Sequence, residues 1–570
     1  MNATKKFVND PQESVDEGIQ GLVFANPALD VAKGCRRVVV RVEKKPERRV
    51  ALIAGGGSGH EPFAAGFVGR GFLDAAVCGD VFASPPSDHV LSALKEVASP
   101  AGAIVFVINY TGDRLNFGLA LERFHGTPKE LVFIADDVAL EAKGDGRGVG
   151  RRGLAGAVLL LKIAGAMAEE GAVFEEIIGT TRRVNDHLGT MGVSLYPCSL
   201  PGKPPMFDLP QGKMELGLGI HGEPGCERSK AKTAKEVVAA VMEKLAMSSK
   251  LRLERGEKIV ILLNNLGSVS QLEMNILQKE VIEWTNLFGA EIVRFYSGTF
   301  MTSLDGHGFS VTILKVTEAK WMHCLDAASE CPGWNQSSKP LLKKSISTSV
   351  DSKKSNVFEV EKRSVGVSEE VARSIEKSLR HICIKMEHFY EELNRLDGKC
   401  GDGDCGDTLL SATRAIGGAL DGGELSCGRP QQLFLQLSMI FEKIVGGTSG
   451  AIYALMLSAA SSAFEKRFSS ADLLVALEDG LEAIQKYGHA RPGDRTMVDP
   501  LSAAAEEAAK PEHSWRSVVE AAERAAKATA SMEAKAGRAS YTSTETQSEA
   551  DAGATAVAFW MRALLESSCP

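Results

Sequence analysis

The stretch Asp397-Gly-Lys-Cys-Gly-Asp402-Gly-Asp404-Cys-Gly-Asp407 follows one long helical pattern and precedes several more. Before it, Ser368-Glu-Glu has the form of a helix N-cap followed by acids in the first turn. Val371, Ile375, Leu379, Ile382, Met386, Phe389, Leu393 and Leu396 then recur at spacings of three and four. That pattern draws one apolar face on a helix ending at Asp397. After Asp407, runs of β-branched residues almost vanish, and the periodicity predicts about eight amphipathic helices in all, the last reaching Arg562. Such faces can be buried only against one another, so residues 366–570 are predicted to form an all-α bundle or barrel.

The stretch itself gathers acids among small residues. Two carboxylates about 5 Å apart repel by roughly 3 kcal/mol at an effective dielectric of 20, so such a cluster calls for solvent or a cation. The glycines favour the cation, because they let a loop turn several oxygens inward. Hard oxygen donors on a tight loop suit Mg²⁺, which leaves positions for phosphate oxygens. A solvated acidic turn is the alternative reading. An EF-hand does not match: counted from Asp402, the fifth position is Gly406 and the twelfth Thr413, where that loop takes Asp or Asn and a bidentate Glu.

Upstream, short β-branched runs alternate with alanine-rich helical ones. Arg49–Ile53, Ile104–Ile108 and Leu131–Ile134 are predicted strands, and the first is followed at once by a glycine loop, Gly55–His60. The rhythm is that of an α/β segment with a largely parallel sheet, whose ligands collect beyond the carboxyl ends of the strands. Those ends carry Gly57–His60, Asn109–Asp113 and Asp136–Asp137. A second α/β segment follows, marked by Ile259–Leu263, Ala290–Tyr296 and Phe309–Leu314, with a glycine-bracketed His221 on a loop. The predicted organisation is residues 1–334 as one α/β part (subdomains of about 1–190 and 191–334), a Ser/Lys-rich flexible tether over 335–365, and the helical part from 366 to 570.

The 570 residues carry a formal net charge of -8 with no compensating basic stripe, which argues against nucleic acid as a partner. Eleven cysteines lie scattered without zinc spacing, a pattern of free thiols. The most apolar run, Leu154–Ala168, is short and contains Lys162, so it is predicted to be a core helix and not a membrane span. MNATKKFVND lacks the apolar run of a signal peptide. The expectation is a cytoplasmic protein.

Further candidates for chemistry sit on loops. Gly446-Gly-Thr448-Ser449-Gly450 precedes a helix and offers amides and hydroxyls for phosphate. The Pro492–Met497 and Gly537–Tyr541 segments add guanidinium groups and backbone donors. No G-x-x-x-x-G-K-[ST] occurs, which excludes a P-loop. Gly148-Val-Gly-Arg-Arg-Gly153 matches a dinucleotide pattern but follows a charged loop and not a strand. His60, Asp113 and His221 lie in glycine-rich loops; a His–Asp pair can take a proton from a hydroxyl, and a second histidine can attack a carbonyl.

Gly-Gly-Gly-Ser-Gly-His60-Glu-Pro, Val81-Phe-Ala-Ser84-Pro-Pro, Asn109-Tyr-Thr-Gly-Asp113-Arg, Gly219-Ile-His221-Gly-Glu-Pro-Gly and Gly401-Asp402-Gly-Asp404-Cys-Gly together resemble the ATP-dependent dihydroxyacetone kinases, also called triokinases. The resemblance spans roughly residues 5–334 and 366–565. It implies an α/β substrate-binding part joined to an eight-helix barrel that binds ATP with two Mg²⁺ ions. It implies that His221 forms a hemiaminal with the substrate carbonyl and that Asp113 and His60 act on the hydroxyl receiving phosphate. Gly57 and Ser84 would contact substrate, Asp397, Asp402 and Asp404 would hold metal, and Thr448, Ser449, Gly493, Arg495 and Arg538 would surround the nucleotide. Dihydroxyacetone, and with it glyceraldehyde, is the implied substrate. The implied assembly is a homodimer whose sites are completed across chains. Two positions depart from the pattern: Ile108 stands where many relatives have Lys, and Asp551-Ala-Gly-Ala where many have Asp-Pro-Gly-Ala. The alternatives are an added lyase activity, cyclising FAD to a cyclic FMN at the same metal site, and a non-catalytic regulatory binding protein.

Overall fold

The computed structural model describes all residues except 1–4, 44–47, 141–149, 224, 336–364, 537, 542–546 and 569–570. The chain splits into two compact units, Met1–Ile346 and Ser347–Pro570. All but the two end residues of the predicted tether (335–365) lie outside the described set, as do the first two residues of the Gly148–Gly153 pattern.

The first unit holds two six-stranded sheets. In the first, β1 (Leu29–Ala32), β2 (Cys35–Arg41), β3 (Ala51–Ser58), β4 (Ala75–Val81), β5 (Ala103–Ile108) and β6 (Lys129–Ile134) take the order β1-β2-β4-β3-β5-β6. The last four positions are parallel, with Ile53 paired to both Ala75 and Val105. The other two strands add antiparallel. Every residue of β5 is buried, as expected of a parallel strand covered on both faces. One cover is α2 (Ser87–Val97) and α3 (Thr111–Arg123), whose Val90, Leu94 and Phe117 meet Ile53, Val105 and Val107. The other is α4 (Gly156–Glu169), packed on Leu52, Ile104 and Phe106.

The glycine run is not the loop that its composition predicts: β3 continues through Gly55, Gly56 and Gly57 to Ser58. A side chain on Gly55 would collide with the carbonyl of Val77 on the neighbouring β4, so the glycines permit close strand approach rather than a turn.

The second sheet is mixed, not largely parallel. Its strands β7 (Leu188–Tyr196), β8 (Lys213–Leu216), β9 (Glu227–Lys230), β10 (Lys258–Asn265), β11 (Glu291–Gly298) and β12 (His307–Lys315) take the order β11-β10-β12-β7-β8-β9. Only β10 and β11 pair in parallel. Helix α4 also packs against this sheet, through a core shared with Val260, Leu262 and Leu314. All thirteen residues Gly156–Ala168 are buried, as a helix apolar on every side must be. The charge within that buried run is satisfied: Lys162 Nζ donates to the carbonyls of Cys324 (2.9 Å) and Ala327 (2.8 Å), at the C-terminal end of the helix Ala319–Asp326. Among the described residues no helix is long and apolar enough to cross a membrane.

The second unit is helical. Its α-helices, numbered on from the first unit's eight, are α9 (Glu369–Asp397), α10 (Cys405–Asp421), α11 (Pro430–Ile440), α12 (Gly447–Ala460), α13 (Ser470–Gly488), α14 (Val498–Ala508), α15 (Trp515–Ala528) and α16 (Ala552–Ser568). Ser368 caps α9 by accepting the Val371 N–H, as its sequence predicts. Each helix packs on the next, and α16 returns to α9, closing a ring. Phe389 stacks on Phe559 across that closure at 4.3 Å.

Candidate active site

The carboxyl ends of β3, β4 and β5 bring Gly57–His60, Phe82–Ser84 and Tyr110–Asp113 to one place. Loops of the second sheet clasp them from the other side: the Thr302 N–H donates to the His60 carbonyl and the Leu304 N–H to that of Gly59. Gly59 has φ +97°, and a Cβ there would reach 2.8 Å from the Phe82 ring, so only glycine turns the chain here. A Cβ on Gly57 would come 2.8 Å from the Ala83 amide.

His60 is fully buried. Its Nδ1 lies 2.8 Å from the Thr302 carbonyl. A carbonyl only accepts, so Nδ1 carries the hydrogen and Nε2 keeps its lone pair. Nε2 has no hydrogen-bond partner. Burial foremost, then the neighbouring His221 charge, lowers the ring to about 3, which keeps it neutral. The ring stacks on Phe82 at 5.0 Å and meets the edge of His221 at 4.7 Å.

His221, on the loop between β8 and β9, is also flanked by the rings of Phe82 (5.1 Å) and Tyr110 (4.6 Å). Its Nδ1 lies 2.9 Å from Glu223 Oε1. Asp113, in the first turn of α3, is buried with Oδ1 unpartnered. Burial raises its carboxyl to about 6 against the opposing Ser84 hydrogen bond and His221 charge. His60, Asp113, His221, Gly57 and Ser84 thus share one site. The orphaned acceptor on Asp113 and the lone pair of the neutral His60 ring are two groups able to take a proton from a small hydroxylic ligand.

Ile108 closes the floor. It is buried in the core, yet its Cδ1 would lie 3.5 Å from a Cβ on Gly56, on the side where Asp113 Oδ1 would lie at 3.8 Å. Tyr110, Thr302 and Glu223 are participants that residue-by-residue reading did not single out. Tyr110 and Glu223 at least stand inside the glycine motifs; Thr302 lies 242 residues from the ring it orients.

In the helical unit, Asp397, Asp402 and Asp404 place ligand oxygens within 4.8 Å of one another. Asp397 ends α9, and its Oδ2 accepts the N–H groups of Gly403 (2.9 Å) and Asp404 (3.0 Å). The loop is thereby tied to the start of α10. Asp402 and Asp404 stay exposed. Asp551, which no sequence motif marks as a ligand, belongs to the same neighbourhood. Burial raises its carboxyl to about 6; the Ala554 N–H and Arg495 charge oppose this, and the charges of Asp397 and Asp499 add to it. An all-carboxylate donor set of this kind fits a hard divalent cation such as Mg²⁺.

The remaining predicted residues lie in the same helical unit. Gly446 and Gly447 have φ of +64° and +58° at the start of α12, where Thr448 is exposed and Ser449 half-buried. The Gly493 amide donates to Asp499. Arg495 is turned inward: it is 3% exposed, with Nη2 on the Glu549 carbonyl (2.9 Å) and Nη1 3.9 Å from Asp551. Arg538 begins a short 3-10 turn, and its side chain lies outside the described set.

Residues 20–333 match the Dak1 domain model and residues 399–566 the DAK2 domain model. Triokinase/FMN cyclase of Bos taurus is 40% identical over 99% of this chain and 98% of its own. Dihydroxyacetone kinase of Pichia angusta is 34% identical, covering 95% and 94%. The crystal structure of the dihydroxyacetone kinase of C. freundii superposes with a TM-score of 0.70 at 32% identity, over 99% of this chain and 100% of that one. The same kinase in complex with AMP-PNP and Mg²⁺ matches equally.

Proposed function

The chain belongs to the dihydroxyacetone kinase family, and from that premise we propose a reaction in which ATP phosphorylates a triose held through its carbonyl by His221. The activity is that of an ATP-dependent kinase acting on dihydroxyacetone. Glyceraldehyde, which offers the same carbonyl and hydroxyl, is the second substrate. Tightness is hard to obtain for so few atoms by noncovalent contact alone. A bond to the carbonyl answers that, and it rejects glycerol, which has none.

The observation that carries this reading is the contact of the His60 and His221 rings at 4.7 Å together with the unpartnered Asp113 Oδ1. His221 holds the carbonyl carbon. Asp113, ionised above about pH 6, accepts the proton of the hydroxyl that attacks phosphorus, with His60 Nε2 as the second acceptor in reach. Asp397, Asp402 and Asp404 would hold Mg²⁺ ions, two by family resemblance, whose charge offsets that of the triphosphate. Thr448, Ser449, Gly493, Arg495 and Arg538 would surround the nucleotide.

The test is ATP consumption with dihydroxyacetone, glyceraldehyde and glycerol side by side. Turnover with the two carbonyl compounds and none with glycerol is expected; equal turnover with glycerol would remove the carbonyl grip. The name borne by the Bos taurus relative favours a second reading, FMN cyclisation at the same carboxylates. Incubating FAD with Mn²⁺ in place of Mg²⁺ and assaying for cyclic FMN tests it.

A further inference from the structure

The tautomer of His221 is fixed from outside the ring. Glu223 Oε1 lies 2.9 Å from Nδ1, and Oε2 accepts the His221 backbone N–H at 3.1 Å. An ionised carboxylate only accepts, so Nδ1 bears a hydrogen, and in the neutral form of the ring the lone pair is on Nε2. Burial works to raise the Glu223 carboxyl. The hydrogen bond and charge of His221, together with the Arg152 charge, outweigh it and leave the group below the usual range.

Arg152 is itself anchored. Its Nε donates to Asp137 Oδ2 at 2.7 Å and its Nη2 to the Gly217 carbonyl at 2.6 Å. The third nitrogen, Nη1, is on the Glu223 side: a Cβ on Gly219 would lie 2.6 Å from it and would overlap Glu223 Oε2. Asp137 is fully buried and Arg152 6% exposed, whereas Glu223 keeps 34% of its side-chain surface. A relay thus runs from the core to a carboxylate that reaches both the ring and water. A salt bridge serving only to fix the loop would not need to address Nδ1.

We propose that Glu223, backed by Arg152 and Asp137, is the positioning residue that readies His221 for carbonyl capture and receives its Nδ1 proton. The inference rests on the reading of His221 as the nucleophile. As the Nε2–carbon bond forms, the π pair of the C=O bond withdraws to oxygen, which takes a proton from water. The Nδ1 proton passes to Glu223 and from its exposed side to water, so the hemiaminal is neutral and no proton is consumed overall. Reversal of these steps releases the phosphorylated product. Without the carboxylate the adduct is left as an unpaired imidazolium in a half-buried site, which disfavours it.

The test is calorimetric titration of dihydroxyacetone into the full-length protein without ATP, together with initial rates, for the wild type, His221→Ala, Glu223→Ala and Glu223→Gln. Loss of a hydrogen bond to a charged group predicts binding about tenfold to a hundredfold weaker in Glu223→Ala. The KM for dihydroxyacetone rises in step, and that for ATP is unchanged. Glu223→Gln retains an acceptor for the Nδ1 hydrogen but is no base, so at least a tenfold loss is expected there too, and this variant carries the test if the alanine variant does not fold. Wild-type affinity in Glu223→Gln overturns the inference. Loss in His221→Ala with full affinity in both Glu223 variants overturns it while leaving the nucleophile in place. Wild-type affinity in His221→Ala removes the nucleophile and the inference together. A rise in both KM values with a lowered Tm marks a merely structural residue and also overturns it.

Discussion

Asp113 sits where it weakens the fold. Burial lifts its carboxyl to about 6, whereas in the unfolded chain it ionises near 4. The folded-state pKa being the higher, the penalty is absent below about pH 4, grows as pH rises to about 6, and is complete above. Its ceiling is about 3 kcal/mol. Asp113→Asn is therefore expected to raise Tm at pH 7.5 while lowering kcat/KM by about a hundredfold or more. A destabilised variant with normal turnover would contradict both halves. For the wild type, kcat/KM for dihydroxyacetone should fall as pH drops below about 6. Ile108 poses the complementary question. Its tip shares the Gly56 side with Asp113 Oδ1, so a lysine there would find a carboxylate partner. Ile108→Lys is expected to fold, to lower the KM for dihydroxyacetone, to leave that for ATP unchanged and to move the acid limb to lower pH. A collapse of Tm by the several kcal/mol that an unpaired buried charge costs would mean that core packing wins. His60, Asp113 and His221 stand out in the sequence because each is a polar residue set in a glycine-rich motif. Thr302 and the Arg152 anchor were not, because each acts on the site across a fold-level distance.

The loop joining α9 to α10 divides its labour among three acids. Asp402 and Asp404 are exposed, so Asp402→Ala or Asp404→Ala should leave the helical unit folded, abolish ATP turnover and remove any rise of Tm on adding Mg²⁺. Near-normal turnover in either at low Mg²⁺ would reduce the loop to an acidic turn. Asp397 differs, because it accepts N–H groups at the start of α10. Asp397→Ala should therefore also destabilise the unit by about 1–3 kcal/mol, read by chemical denaturation. At this scale the long periodic helices were legible, and α9 begins and ends where its cap and its acids predict. The sheets were less so. Strands β8 and β9 are four residues each, and Glu227-Arg-Ser-Lys230 carries three charges. Gly189 and Gly192 weaken the strand signal of β7. The glycines of β3 read as a loop because their reason, the approach of β4, lies in another strand.

For the whole molecule, the change from alternating strands to continuous helices was visible in composition, because the two architectures bury apolar residues at different periods. How the units cooperate was not. Family resemblance implies a homodimer in which each helical unit serves the partner's substrate site. Mixing His221→Ala chains with Asp404→Ala chains should then restore activity in heterodimers, and no recovery despite demonstrated subunit exchange would count against it. The bond between His221 and the substrate would be visible in crystals soaked with dihydroxyacetone. With Nδ1 engaged by Glu223, continuous electron density is expected from Nε2 of His221 to the ligand's central carbon, which becomes tetrahedral. A planar ligand separated from the ring by a van der Waals gap would contradict it.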